Sequence, residues 1–194
     1  MPKAETFNRH LVVNQAINIF HEKGYNATSM QDLVDATGLN RSSIYNTFES
    51  KINLFLECLN TYQQKYIDIN QSLVKKASNA LEIVHLLFET YLKDAISCKT
   101  NAKGCFIVNC KSEMANQEPT ITSFLLSNQE GILQFLEDIV IKGQNQDIFN
   151  KDQSPKDYAL YLYMAIQGFR STCILINDKN ELKSIINTII KTLI

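Results

Sequence analysis

This sequence predicts an all-α fold, and three of its features indicate it. The 194 residues include three prolines and six glycines, so the residues that most disfavour a helix interior are scarce. Hydrophobic residues make up 45% of the chain, and they recur mostly at the three- and four-residue spacing of an amphipathic helix. No segment alternates clearly between apolar and polar residues, as a half-buried strand would.

The first helix is predicted over residues 6–23. Its apolar positions lie at helical spacing and are Leu11, Val12, Ala16, Ile19 and Phe20. Gly24 follows, and glycine is favoured in the left-handed conformation that ends many helices. We therefore expect this helix to end at Gly24.

A second, shorter helix is predicted to begin after Ser29 and to end near Thr37. Serine is a good N-cap, and Asp32, three residues on, can return the hydrogen bond in a capping box. Gly38 then allows a tight turn into the next element.

The third helix is predicted from an N-cap at Asn40 to about Thr47. Ile44 and Phe48 are four residues apart, so both are expected to face the core. The outward face is then polar and consists of Arg41, Ser42, Ser43, Tyr45 and Asn46. Two short helices around a glycine turn, with a polar second helix, are typical of a helix-turn-helix that reads DNA.

The rest of the chain predicts six longer helices, at residues 51–74, 79–98, 105–115, 119–142, 155–177 and 179–192. Pro119 and Pro155 stand in first turns, where proline is tolerated. Gly143 is expected to end the fourth of these helices, and the polar segment 143–154 to form a surface loop. A domain boundary is predicted near residue 50, which gives a helix-turn-helix domain over residues 1–50 and a second helical domain over residues 51–194.

The charge and the apolar segments of the chain limit its partners. The net charge is −1, and the first 51 residues are neutral, with Lys3, Arg9, Lys23, Arg41 and Lys51 against Glu5, Glu22, Asp32, Asp35 and Glu49. DNA contact must therefore depend on the placement of a few residues. No apolar run approaches the roughly 18 residues of a membrane span, and the first ten residues lack the apolar region of a signal peptide. Five widely spaced cysteines favour reduced thiols, so we expect a cytoplasmic protein with no membrane partner.

The segment GYNATSMQDLVDATGLNRSSIYNTFESKINLF, residues 24–55, carries a resemblance to a known family. In spacing, apolar positions and punctuation it resembles the tetracycline-repressor-like (TetR) family of bacterial transcriptional regulators, whose motif spans about residues 7–55 here. One departure is at the end of the third helix, where Asn46 and Thr47 replace the second aromatic residue and the histidine common in the family. The resemblance implies an N-terminal helix-turn-helix domain and a C-terminal helical domain for ligand sensing and dimerisation.

The predicted partner is double-stranded DNA, and the predicted contacts lie in and around the two short helices. Arg41 can pair with a guanine edge or a phosphate, and Asn40, Ser42, Ser43 and Asn46 are placed for close approach. Thr28 and Ser29 open a helix whose N–H groups suit a phosphate. Tyr45 and Lys51 resemble the family's phosphate contacts. The alternatives are that Ser29 and Asn40 are only caps, Arg41 a solvated charge and Tyr45 a core-edge residue.

A homodimer is predicted because one helix-turn-helix covers only a few base pairs. The resemblance favours an interface of four helices, the last two of each chain. A glycine in mid-helix costs stability unless another helix approaches closely. The predicted interface residues are Leu162, Ala165, Gly168, Phe169, Ile185, Ile186 and Ile189. The alternative is that both helices cover only their own core.

The resemblance also implies a small-molecule inducer, with Tyr62, Tyr66 and Tyr91 among the aromatic residues of the sensing region. Cys105 is the second residue of the segment GCFIVNCKSEMA (104–115), which resembles the start of the sixth helix in family members that sense electrophiles through a cysteine. A helix N-terminus and Lys103 could lower the pKa of this thiol. The alternatives are plain core for the aromatic residues and a small buried residue for Cys105.

The overall prediction is a homodimeric repressor that a ligand or a cysteine modification releases from a near-palindromic operator. Two other classes stay open: a cysteine-dependent enzyme, and a protein-binding adaptor that keeps the helix-turn-helix only as scaffold. The sequence has no metal-binding histidine pair, no glycine-rich phosphate loop and no Gly-x-Ser-x-Gly elbow. We therefore expect no metal, no cofactor and no catalytic residue.

Overall fold

The computed structural model describes residues 7–97 and 103–194, and within these ranges all regular secondary structure is helical. The all-α fold class is therefore confirmed. In the described part of the chain the helices are α1 (Arg9–Ala27), α2 (Met30–Thr37), α3 (Arg41–Phe48), α4 (Lys51–Lys76), α5 (Ala80–Ser97), α6 (Phe106–Met114), α7 (Pro119–Asn145), α8 (Pro155–Thr172) and α9 (Lys179–Lys191). None of the helices in these ranges has the length and apolar character needed to cross a membrane.

The chain divides into two compact units. The first unit combines Met1–Tyr66 with Phe106–Thr122, and the second combines Ile67–Cys105 with Ser123–Ile194. The first unit thus includes α6, which is distant in sequence from the helix-turn-helix. The predicted boundary near residue 50 stays a prediction.

An aromatic core holds the first unit together. The ring of Phe20 on α1 meets that of Phe55 on α4 edge-on, with centroids 4.9 Å apart, and Phe106 on α6 meets Phe55 at 5.6 Å. Leu33 and Ile44 are almost completely buried. Burying a side chain of this size contributes roughly 1.5–3 kcal/mol, so the two short helices are fixed by their apolar faces.

The core of the second unit is formed by buried residues of α5, α7, α8 and α9. Phe88 on α5 and Phe169 on α8 meet edge-on at 5.6 Å. The buried face of α9 consists of Leu182, Ile186, Ile189 and Ile190. A backbone hydrogen bond of 2.7 Å from Asn150 to Leu193 ties the end of the chain to the loop before α8.

The predicted helix starts are confirmed where they depend on local capping. Ser29 and Asp32 form both hydrogen bonds of the capping box. Ser154 caps α8 by accepting from the Asp157 N–H at 3.1 Å, and Pro155 lies in the first turn.

The predicted role of Gly143 as a helix end is wrong. Helix α7 continues through this residue to Asn145. The glycine is needed there because the ring of Phe149 packs against its backbone, where a Cβ would collide with it. Gly24 does leave helical geometry, with φ 80° and ψ 172°, but α1 resumes after it and reaches Ala27.

Candidate nucleic-acid interface

The turn between α2 and α3 is built from one glycine and one buried threonine. Gly38 adopts φ 69° and ψ 2°, and its N–H donates to the Val34 carbonyl at 2.9 Å. The Thr37 hydroxyl donates to the Leu33 carbonyl at 2.6 Å and accepts from the Leu39 N–H at 3.3 Å. These bonds satisfy the end of α2 and set the direction in which α3 begins.

Helix α3 presents a polar face to solvent, as predicted from its spacing. Its N-cap Asn40 accepts from the Ser43 N–H at 2.8 Å, so the cap role of this residue is confirmed. Ile44 and Phe48 are buried. The exposed side chains are Asn40, Arg41, Ser42, Tyr45 and Asn46, and Ser43 is half-buried.

Arg41 and Tyr45 form a pair on this face. The Arg41 guanidinium carbon lies 5.8 Å from the centre of the Tyr45 ring, within the range of a cation–π contact. Tyr45 is 39% exposed, so about two fifths of its surface is open to solvent. Arg41 is exposed as well, so its guanidinium group is accessible from solvent.

The two predicted contacts at the start of α2 differ. Ser29 is exposed, and its hydroxyl takes part in the capping box with Asp32. Thr28 is 1% exposed as a whole residue, and its hydroxyl donates to the Gly24 carbonyl at 2.5 Å. This corrects the prediction that Thr28 contacts DNA: the residue faces inward, and its hydroxyl satisfies the Gly24 carbonyl at the break in α1.

Lys51 is half-buried rather than fully exposed. Its ammonium group donates to the Tyr25 carbonyl at 2.5 Å and lies 4.2 Å from the centre of the Tyr25 ring. Burial lowers the pKa of Lys51, while the carboxylates of Glu113 and Asp32 act in the opposite direction. Lys51 thus stabilises the end of α1 through its contacts with Tyr25, a role that the sequence did not indicate.

Arg9 is a residue of this unit that the sequence reasoning missed. Its guanidinium binds the Glu57 carboxylate through two hydrogen bonds of 2.8 and 2.7 Å and lies 4.7 Å from the centre of the Phe48 ring. It therefore connects α1 with α4 and with the end of α3. No local signal could reveal this, because the partners are 48 residues apart.

The residues predicted for ligand sensing fall in both units. Tyr62 and Tyr66 lie together in the first unit, with ring centroids 4.9 Å apart, and Tyr62 also meets Phe106 at 5.6 Å. Tyr91 belongs to the second unit, where the Arg170 guanidinium lies 4.8 Å from its ring centre. Cys105 is buried, and it is the residue immediately before α6.

The other described cysteines are poor nucleophiles in this environment. Burial raises the pKa of Cys110 to about 12, with a smaller contribution from Glu113. Burial also raises the pKa of Cys58 and of Cys173. In the described ranges, no group of three or more His, Cys, Asp or Glu side chains is arranged to hold a metal ion.

The predicted dimer residues separate into a buried and an exposed set. Four of them are buried in the core of the chain itself, which corrects their prediction as interface residues: Leu162, Phe169, Ile186 and Ile189. Gly168 and Ile185 are exposed, and Ala165 is half-buried. The exposed apolar residues that the sequence reasoning missed here are Leu160, Met164, Ile174 and Leu175.

Two family models cover most of the chain. The model of the tetR family of bacterial regulatory proteins matches residues 12–58, which contain α2 and α3. The model of the tetracyclin repressor-like C-terminal domain matches residues 80–189, which is more than half of the chain. The chain belongs to the tetR family. It is therefore a DNA-binding transcriptional regulator of this family.

Individual tetR family relatives are similar to the chain at low sequence identity. The uncharacterized HTH-type transcriptional regulator YezE of Bacillus subtilis (strain 168) is 28% identical over 124 residues, which span 64% of this chain and 63% of YezE. The HTH-type transcriptional repressor ComR of Escherichia coli (strain K12) is 26% identical over 142 residues, spanning 66% of this chain and 68% of ComR. A cysteine mutant of the tetR family regulator CifR, in complex with 26-base-pair operator DNA, has the same fold, with TM-score 0.84, 19% identity and coverage of 97% and 98%.

Proposed function

We propose that this tetR family member is a homodimeric repressor that binds a near-palindromic operator and is released by a small-molecule inducer or by cysteine modification. The observation that carries the proposal is the outward face of α3. Arg41, Tyr45 and Asn46 are exposed on the helix whose opposite face, with Ile44 and Phe48, is buried. A recognition helix needs this division, because its core face fixes the orientation in which its polar face meets the major groove.

The proposed base and phosphate contacts are divided by their chemistry. Arg41 and Asn46 are the candidates for base edges, since a guanidinium pairs with guanine and an amide pairs with adenine. The candidates for phosphate contact are Ser29, Asn40, Ser42, Ser43, Tyr45 and Lys51. For Lys51 this requires that its ammonium group exchange the Tyr25 carbonyl for a phosphate or bridge the two.

The proposed dimer interface uses the exposed apolar residues of α8 and α9. Leu160, Met164 and Gly168 follow one another at four-residue intervals and therefore share one face of α8. Among the described residues outside its own turn of α8, none has an atom within 4 Å of a Cβ placed on Gly168, so a partner helix could approach closely there. Ile185 adds an exposed apolar residue on α9.

Release would follow from a change in the distance between the two recognition helices. Half-sites on one side of a duplex are roughly 34 Å apart, so a dimer held at another spacing cannot engage both. An inducer can act only if it binds with different affinity to the two dimer conformations, which hold the recognition helices at different distances. Tyr62, Tyr66, Tyr91 and Cys105 are the candidates for sensing it. A repressor must reach the chromosome, so we propose that the protein is cytoplasmic. The proposed function includes no catalytic step.

The test is a binding titration of the purified protein with the intergenic DNA upstream of its own gene and with an unrelated duplex. The proposal expects selective binding that weakens steeply as salt rises, because cations are released from the phosphates on binding. Equal and weak binding to both duplexes would favour an adaptor that keeps the helix-turn-helix as scaffold.

Arg41→Ala is expected to cost about 1–3 kcal/mol on the selected duplex and to relax specificity at one base position. Arg41→Lys is the matched control, since it keeps the charge but loses the planar fork that pairs with guanine. It should keep the salt dependence while losing the specificity.

Lys51→Ala should weaken binding to selected and unrelated duplexes alike, and Lys156→Ala, at an exposed site on α8, should weaken neither. If Arg41→Ala and Lys51→Ala both bind as the wild type does, α3 is not the reading face.

A further inference from the structure

The segment from residue 24 to residue 26 interrupts α1, and a carboxylate from α6 satisfies its free N–H groups. Gly24 breaks the helical hydrogen bonding with φ 80° and ψ 172°. The Tyr25 N–H donates to Oε2 of Glu113 at 2.8 Å, and the Asn26 N–H donates to Oε1 of the same side chain at 2.7 Å. Hydrogen bonds to a carboxylate are roughly twice as strong as neutral ones, so Glu113 is a strong link between α6 and α1.

The carbonyl groups of the same segment are held from the other direction. The Lys51 ammonium donates to the Tyr25 carbonyl at 2.5 Å, and the Thr28 hydroxyl donates to the Gly24 carbonyl at 2.5 Å. The positive charge of Lys51 is close enough to Glu113 for the two to attract one another. Residues 24–28 are therefore fixed through both their N–H and their carbonyl groups, immediately before α2 begins.

The glycine at position 24 makes this approach possible. A Cβ on Gly24 would lie 2.8 Å from Oε2 of Glu113, closer than the carboxylate could stay. Its positive φ is also a conformation that other residues rarely adopt. The absence of a Cβ at Gly24 thus leaves room for the Glu113 carboxylate. That carboxylate comes from a residue 88 positions after Tyr25.

We propose that Glu113 is a positioning residue for DNA binding, whose carboxylate holds residues 24–28 and so fixes the start of α2 in the orientation that reads DNA. This inference rests on the proposed function. Glu113 lies in α6, which begins one residue after Cys105. A change in α6 that withdraws the carboxylate would leave two N–H groups without their acceptor and loosen α2.

The change in DNA affinity when the charge of Glu113 is removed distinguishes a positioning role from a purely electrostatic effect. Removing a negative charge from a DNA-binding protein favours binding by itself, because the phosphates are negative. A positioning role predicts the opposite, weaker binding when the charge at residue 113 is removed. The comparison therefore needs a control that removes an equal charge elsewhere.

The test compares Glu113→Ala and Glu113→Gln with Glu130→Gln, which removes one charge from an exposed site on α7. The probe is the duplex that the wild-type protein recovers from a random-sequence pool, at one salt concentration and well below the thermal transition of each variant. We expect Glu113→Ala to bind it about 5- to 150-fold more weakly, the usual span of coupling between sites. Glu113→Gln keeps one accepting oxygen, so its affinity should lie between, and Glu130→Gln should bind at least as tightly as the wild type.

Amide hydrogen exchange of the free protein gives a second readout that does not depend on DNA. The Tyr25 and Asn26 amides should exchange faster in both Glu113 variants, followed by the amides of α2, while that of the buried Leu54 should not change. A lower melting temperature with unchanged Kd and unchanged exchange in α2 would mean that Glu113 only stabilises the fold, and would overturn the proposal.

The outcomes for the two proposals are separable. A wild-type protein that selects no duplex overturns the proposed function and this inference with it. A wild-type protein that binds selectively, with both Glu113 variants equal to it, overturns the inference alone. If Glu113→Ala does not fold, Glu113→Gln, which differs from the wild type by one functional group, decides the question.

Discussion

At the scale of single residues, the helix-turn-helix depends on a small number of polar side chains that each satisfy two or three groups. Asp32 accepts from the Ser29 N–H and hydroxyl, both at 2.8 Å, and pairs with the Lys23 ammonium at 2.6 Å. The Lys23 hydrogen bond contributes most to lowering the pKa of Asp32 to about 2, and the Ser29 bonds contribute next. The start of α2 is therefore sensitive to the charge of one carboxylate.

Asp32→Asn is expected to lower the melting temperature at neutral pH, because the neutral amide cannot form the ion pair with Lys23 and accepts only weaker, uncharged hydrogen bonds from Ser29. Since the pKa is lowered on folding, the carboxylate stabilises the protein above pH 3.8, and this contribution is lost as the pH falls to about 2. The difference between variant and wild type should therefore shrink over this interval. Thermal melts across the acid range would measure it.

Asp35→Asn is the control for this prediction. Asp35 is an exposed residue of the same helix, and its carboxylate accepts from the Gln31 side chain at 2.8 Å. Its melting curve should follow that of the wild type at every pH. A difference for Asp32→Asn that stays constant down to pH 2 would contradict the assigned ion pair.

At the scale of elements, the turn between α2 and α3 decides where the polar face of α3 points. Gly38 holds the left-handed conformation at the end of α2, and beyond its two chain neighbours no described residue has an atom within 4 Å of a Cβ placed on it. The requirement for glycine is therefore a backbone requirement and not one of space. Arg9 adds a second constraint, since it binds Glu57 and covers the Phe48 ring at the other end of α3.

Gly38→Ala is expected to destabilise the protein by about 1–2 kcal/mol, the cost of a left-handed conformation for a residue with a Cβ. Gly131→Ala is the matched control: Gly131 also has open space around it, but it lies within α7. That substitution should stabilise the protein by up to about 1 kcal/mol. Denaturant unfolding of both variants gives the two signs, and equal effects would show that strain at Gly38 is not the cause.

At the scale of the whole molecule, the proposed repressor requires two copies of the chain. Buried positions on α8 and α9 serve the protomer, while the exposed apolar residues Leu160, Met164, Leu175 and Ile185 have no such role. A large contiguous apolar patch on a protein surface marks an interaction site, and Leu160 and Met164, four residues apart on α8, share one face of that helix. The proposed dimer therefore uses the side of α8 that the protomer leaves open.

Met164→Asp is expected to separate the dimer, because a charge would be buried at the contact without a partner. Met164 is 65% exposed, so the folded protomer should tolerate the change. Leu126→Asp is the matched control, since Leu126 is 64% exposed but lies on α7. Sedimentation at micromolar concentration should find Met164→Asp monomeric and Leu126→Asp dimeric. The reverse result would place the interface on α7.

The sequence by itself determined the helices, their caps and the location of the helix-turn-helix. These features depend on neighbours within a few residues: the Ser29–Asp32 box, the left-handed Gly38 and the Asn40 cap all formed as the local pattern predicts. The outward face of α3 followed from the same cause, since a helix with Ile44 and Phe48 on one side must expose the other.

Only the tertiary structure decided which groups meet across the chain. Thr28 turned inward, and Lys51 reached the Tyr25 carbonyl 26 residues away. The Glu113 carboxylate accepts a hydrogen bond from the Tyr25 N–H at the break in α1. Leu162 and Phe169 lie on the buried face of α8. Such outcomes depend on how helices distant in sequence pack, and a helix with apolar residues on several sides does not indicate which side its own core will cover.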